Sequence, residues 1–121
     1  MKIMLVDDSK AIIALQRKIL SKLGFEEVCE ASNGGEALAL YEQQKPDLTF
    51  IDINLPGMDG ITLLRAIRDR DAETCIIMCT AEADRKLVAA AMEAGANDYL
   101  IKPFSRESLA AKLRDVGVAA N

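Results

Sequence analysis

Thr49-Phe50-Ile51-Asp52-Ile53-Asn54-Leu55-Pro56-Gly57-Met58-Asp59-Gly60 decides how this chain folds. Its apolar, β-branched and aromatic opening, together with Asp47-Leu48 before it, predicts a core strand over 47–52. Pro56-Gly57 and Asp59-Gly60 then punctuate a loop, and helical spacing begins at Ile61. A buried strand that emerges on one carboxylate, Asp52, puts that group at the end of the sheet where open α/β folds bind their ligands. Two other apolar runs end on charge in the same way. Ile3-Met4-Leu5-Val6 runs into Asp7-Asp8, and Tyr99-Leu100-Ile101 runs into Lys102. Three carboxylates and a lysine are therefore candidates for one rim.

On either side of the central stretch, strand and helix patterns alternate. A first strand over 2–6 is followed by a helix capped by Ser9, with Ile12, Leu15, Ile19 and Leu23 on one stripe and Lys10, Arg17 and Lys18 opposite; Gly24 stops it. Residues 26–31 read as an edge strand with polar ends. Ser32-Asn33-Gly34-Gly35-Glu36 opens a second helix carrying Ala37, Leu38, Leu40 and Tyr41, closed by Pro46. Beyond the central loop, a helix over 61–70 turns Ile61, Leu64 and Ile67 inward and Arg65, Arg68 and Asp69 outward, with Arg65, Arg68 and Arg70 forming a solvated face. A strand over 75–79 ends at Thr80, an alanine-rich helix over 83–94 stops at Gly95, and a fifth strand covers 97–101. Lys102-Pro103-Phe104 makes a turn, Ser105 caps a last helix to about Val116, and residues 118–121 read as a frayed end.

Continuous rather than alternating hydrophobicity in the first, third and fourth strands predicts burial on both faces, as in a parallel sheet sandwiched by helices. Strict strand–helix alternation with right-handed crossovers predicts a doubly wound five-stranded parallel sheet of order 2-1-3-4-5, a flavodoxin-like (βα)5 arrangement. Its switch point lies between the first and third strands, so the topology gathers Asp7, Asp8 and Asp52, which are distant in sequence.

The totals fit this reading. The 121 residues suit a single domain over 1–121. Half the residues are hydrophobic and 28% charged, a globular balance, and a net charge of −4 argues against a nucleic-acid surface. No apolar run approaches the ~20 residues of a membrane span, and the acidic start is unlike a signal peptide, which points to a cytoplasmic setting. The three cysteines, Cys29, Cys75 and Cys79, lie in apolar contexts and read as reduced core residues. On one strand, Cys75 and Cys79 are about 13 Å apart, beyond disulfide reach. There is no histidine, which removes Ser-His-Asp triads, Cys-His pairs and typical zinc sites.

Crowding three carboxylates is costly, because two unit charges ~4 Å apart repel by about 4 kcal/mol at a dielectric of about 20. A hard dication with oxygen ligands offsets this, and Mg²⁺ fits. Asp8 and Asp52 are assigned as direct ligands, Asp7 directly or through water, and a loop carbonyl near Asn54 as a further oxygen; Lys102 adds the remaining positive charge. A carboxylate beside a cation and an ammonium can attack phosphorus, which makes Asp52 a candidate nucleophile and phosphorylation site. Thr80, ending the neighbouring strand, offers a hydroxyl to a phosphoryl oxygen.

With these residues in view, the whole chain resembles the response-regulator receiver domain of two-component signalling, in its short chemotaxis-regulator type. The resemblance rests on Asp7-Asp8, Asp52, Thr80-Ala81 and Lys102-Pro103-Phe104 following successive strands, with Met58-Asp59-Gly60 and Asn33-Gly34-Gly35-Glu36-Ala37-Leu38 in support. It implies a Mg²⁺-dependent phosphoryl transfer to Asp52 from a phosphohistidine on a sensor histidine kinase, with small acyl phosphates able to substitute. It also implies that Thr80 is drawn toward the phosphate and Tyr99 turns inward, altering a surface of the fourth helix, fifth strand and fifth helix that a downstream protein reads. Asn54 and Glu82 stand at positions that tune self-dephosphorylation in the family, and a cis Lys102-Pro103 bond aims the lysine at the site. Such a protein catalyses its own phosphorylation and dephosphorylation, as a monomer or a phosphorylation-dependent dimer, without turning over a separate metabolite. The rivals are a flavin- or nucleotide-binding flavodoxin-like protein, which would want a Gly-rich phosphate loop where Asp7-Asp8 stand, and an aspartate-based phosphatase, which would want a second Asp where Asn54 stands.

Overall fold

The computed structural model describes residues 1–81 and 85–118. In chain order the elements are β1 (Ile3–Val6), α1 (Lys10–Lys22), β2 (Val28–Ala31), α2 (Gly34–Gln44), β3 (Leu48–Asp52), α3 (Gly60–Arg70), β4 (Cys75–Thr80), α4 (Arg85–Glu93), β5 (Asp98–Ile101) and α5 (Arg106–Asp115). The strands form one parallel sheet of order β2-β1-β3-β4-β5, as the alternation predicts. β1 and β3 are buried along their whole length and β4 almost so, while β2, at the edge, is only partly covered.

Because successive strand residues point to opposite faces, the core divides in two. Ile3, Leu5, Leu48, Phe50, Ile77, Cys79 and Leu100 pack against α1 and α5. Met4, Val6, Ile51, Ile76 and Met78 pack against α2, α3 and α4. Most helix starts are capped as their residues dictate: Ser9, Asn33, Asp59 and Ser105 each accept a backbone N–H in the first turn. Gly24 takes a left-handed φ of 95° after α1. No helix among the described residues is long and apolar enough to cross a membrane.

Several side-chain assignments change. The stripe of α1 buries Ile13, Gln16, Ile19 and Leu20, and Leu15 is turned to solvent with Ile12 half-buried. Counting apolar residues favours Leu15, but the angular step of the helix brings position 16, not 15, under the sheet, so a polar side chain is buried there. Its Nε2 donates to Cys79 Sγ at 3.8 Å. Arg68 is likewise not part of a solvated face. Its guanidinium donates to the carbonyls of Gly95, Asp71 and Thr74 and to Asn97 Oδ1, tying the end of α3 to the loops entering β4 and β5. Arg70 pairs with Glu42 of α2. The start placed at residue 83 for the fourth helix, and most of the frayed end, lie outside the described residues. Cys29 and Cys75 are half-buried rather than core, Cys79 is fully buried, and all three are free.

Candidate functional site

Register alone brings the charged residues together. Val6 pairs with Ile51 and Asp52 pairs with Cys79, so the next step along β1 sets Asp7 beside Asp52 on the α1/α5 side of the sheet. Single oxygens of Asp7, Asp8 and Asp52 all lie within 4.8 Å of one another. Asp7 and Asp52 are buried and Asp8 is exposed, which leaves the cluster open at one corner. Lys102 leaves the end of β5 through a cis peptide bond to Pro103. Its Nζ lies 2.6 Å from Asp7 Oδ2 and 3.3 Å from Asp52 Oδ2.

Backbone donors engage the other carboxylate oxygens. The Ser9 N–H donates to Asp7 Oδ1 at 2.9 Å, and the Asn54 N–H donates to Asp52 Oδ1 at 3.1 Å. Burial raises the pKa of Asp52, and the neighbouring Asp7 charge adds to it, while Lys102 and the Asn54 N–H oppose the rise. For Lys102, burial works against the charged form. The hydrogen bond to Asp7 and the charge of Asp52 more than reverse this, so the ammonium ends above its ordinary range. The cluster sets the Lys102 ammonium against three carboxylates, and burial opposes the ionisation of Asp52.

Loops frame the site closely. Gly60, at the start of α3, lies so near the end of β3 that a Cβ there would fall 2.7 Å from Ile53 Cα and 2.9 Å from the Asp52 carbonyl carbon. Its N–H donates to the Ile53 carbonyl at 2.8 Å. The Met58 thioether covers Gly34 at the start of α2, where a Cβ would meet the sulfur at 2.7 Å. Beside Asp7 and Asp8, a cleft of about 470 Å³ runs between α1 and the β2–α2 turn and is lined by Arg17, Glu30 and Glu36.

Of the residues singled out from the sequence, Asp7, Asp8, Asp52 and Lys102 converge. Thr80 is buried at the end of β4, paired in register with Ile101, and its carbonyl accepts the Lys102 N–H at 2.7 Å. Asn54 is exposed in the loop after β3. Tyr99, half-buried on β5, sits away from the acidic cluster and under Lys112 of α5. Glu82 lies outside the described residues. Gly60 and Lys112 escaped sequence reasoning. The Asp59-Gly60 pair signals a turn but not the closeness of two backbones, and no periodicity marks a lysine reaching a strand aromatic.

A model of the response regulator receiver domain matches residues 3–114. The chain belongs to that family. This receiver domain is 43% identical over 106 residues to the chemotaxis protein CheY of Bacillus subtilis (strain 168), spanning 88% of each chain. It is 35% identical to the chemotaxis protein CheY of Thermotoga maritima, over 95% of this chain and 96% of that one. In three dimensions it matches the chemotaxis protein CheY4 of Vibrio cholerae with a TM-score of 0.89 at 33% identity, covering 95% of this chain and 97% of that one. The receiver domain is a phospho-accepting response regulator, and neither the flavodoxin-like binder nor the phosphatase is favoured. Receiver domains generally bind Mg²⁺ and work with histidine kinases and downstream targets.

Proposed function

We propose that Asp52 is the phospho-acceptor, and that the protein relays a phosphoryl group from the phosphohistidine of a sensor histidine kinase in the cytoplasm. The observation that carries this reading is the convergence of Asp7, Asp52 and Lys102 from the ends of three strands. An Asp52 carboxylate oxygen forms the new bond to phosphorus as the phosphorus–nitrogen bond of the donor breaks and its electron pair returns to the imidazole. Lys102, whose Nζ donates to Asp7 and is ion-paired with Asp52, lies where a phosphoryl oxygen would gain a cation. Burial raises the energy of the Asp52 carboxylate relative to water, and transfer spreads that charge over the phosphoryl oxygens.

The donor set suits a hard dication. It is all oxygen, it carries excess negative charge, and its three carboxylates are close enough to share one ion. Asp7, Asp8 and Asp52 would hold Mg²⁺, with an oxygen of Asn54 in support. When bound, the ion neutralises charge on the acceptor and the transferring group.

After transfer, the buried Thr80 hydroxyl turns to the phosphoryl group and Tyr99 moves inward, changing the surface made by α4, β5 and α5 that a downstream protein reads. Asn54, exposed beside the acceptor, and Glu82 tune how fast water removes the phosphoryl group. The test is labelling with a small acyl phosphate, read by mass spectrometry with and without Mg²⁺. Asp52→Asn abolishes labelling, and Asp8→Ala weakens Mg²⁺ binding by titration. Full labelling of the Asp52→Asn protein would move the acceptor elsewhere.

A further inference from the structure

We infer that Lys112 is a positioning residue that holds Tyr99 at the open edge of the sheet and must release it when the protein is activated. The inference rests on the proposed inward movement of Tyr99. It adds what opposes that movement. Tyr99 pairs in register with Met78, on the face of the sheet covered by α2, α3 and α4. Lys112 belongs to α5, on the other face. A side chain from α5 meets this ring only around the edge of β5, the last strand of the sheet.

The contact is tied at several points. Lys112 Nζ lies 4.5 Å from the centre of the Tyr99 ring and 3.1 Å from Asp98 Oδ1. That same Asp98 oxygen accepts the Tyr99 backbone N–H at 2.8 Å. Carboxylate, ammonium and ring therefore form one unit, in which Asp98 fixes the cation and the cation fixes the ring. The Lys112 and Asp98 side chains are only 25% and 16% exposed, so solvent and salt screen the unit less than a surface pair. On its other side Tyr99 borders a depression of about 280 Å³ with Arg85, Val88, Ala89 and Ile101, between α4 and β5. A ring that turns inward leaves Lys112 while the bond to Asp98 remains.

The coupling is reciprocal. If Lys112 favours the outward ring, then drawing the ring inward uncovers the ammonium, and α5 reports the state of the acceptor through a charge that loses its aromatic cover. The strength of a cation–π contact sets the scale, a bias of roughly threefold to tenfold in the balance between the two ring positions.

The experiment compares Lys112→Met, which keeps an unbranched stem but removes the charge, with Lys112→Arg, which keeps a cation able to stack on the ring. The first readout is the Tyr99 ring resonances of the unphosphorylated, metal-free protein. They shift in Lys112→Met and stay near their original positions in Lys112→Arg. The second is titration with beryllium fluoride plus Mg²⁺, followed at amides remote from residue 112. Its midpoint falls roughly threefold to tenfold in Lys112→Met, and returns to the parent value in Lys112→Arg. Unchanged ring resonances and an unchanged midpoint in a folded Lys112→Met protein overturn the inference. If the Tyr99 resonances of the parent protein ignore beryllium fluoride, the switch reading fails. The ring resonances of the metal-free variants still decide whether Lys112 positions the ring.

Discussion

Gly60→Ala tests the geometry that holds the acceptor. An added Cβ would sit 2.7 Å from Ile53 Cα and 2.9 Å from the Asp52 carbonyl carbon, whereas carbon pairs settle at about 3.5–4.0 Å. The start of α3 and the end of β3 must separate by about 1 Å, and both neighbours are backbone, which cannot step aside as a flexible side chain can. Overpacking of this kind costs about 1–3 kcal/mol, and weakening the Gly60 N–H bond to Ile53 adds about 1 kcal/mol. The sum, about 3 kcal/mol, is a large part of the stability of a domain this size. With a urea slope near 2 kcal/mol per M, the unfolding midpoint drops by roughly 1.5 M. Because the backbone that must shift includes that of Asp52, acyl-phosphate labelling also slows by up to about 100-fold, the scale for a 1 Å misplacement of reacting groups. Gly34→Ala is the control: its Cβ would meet the Met58 side chain, 2.7 Å from the sulfur and 3.0 Å from Cβ, rather than backbone, so it costs less than Gly60→Ala. A Gly60→Ala protein with the parent midpoint and labelling rate would refute the reasoning.

Three further outcomes follow from the same cluster and its surroundings. Lys102→Met leaves Asp7 and Asp52 buried without their cation, so the metal-free protein loses about 3 kcal/mol in urea melts at neutral pH, and added Mg²⁺ restores part of it. Because burial raises the pKa of Asp52 in the folded state, the stability that this one group contributes without metal is fully present below the unfolded carboxylate range and is lost as pH rises through the native value; Asp52→Asn removes this loss, so its melts are the more stable at neutral pH. Burial and the hydrogen bond to Asp71 push Tyr41 up to about 12, so stability falls between pH 10 and about 12, where Lys102 contributes as well. Tyr41→Phe costs about 1–2 kcal/mol at pH 7 through its lost 2.6 Å bond and leaves a shallower alkaline loss in thermal melts.

Much of the candidate site was legible because it lies where strands end. Asp7-Asp8, Asp52 and Lys102 each follow an apolar run, and a parallel sheet sends the ends of all its strands to one side. Arg68 was misread because its sequence neighbours, Arg65 and Arg70, suit a solvated face. Its partners are three carbonyls and an amide on loops that no periodicity links to it. Leu15 and Gln16 show the same limit within one helix. Hydrophobicity nominates the leucine, and the angular position of the helix on the sheet selects the glutamine.

The order of apolar runs, turn residues and caps was enough to determine the five βα units, the parallel sheet and the strand order, since each follows from local periodicity and the handedness of crossovers. Tertiary structure alone decided how far Lys102 reaches, how closely Gly60 approaches Asp52, and that Lys112 closes over Tyr99 around the edge of β5. These are distances between segments remote in the chain. They depend on strand register and helix rotation, to which no single stretch of residues refers.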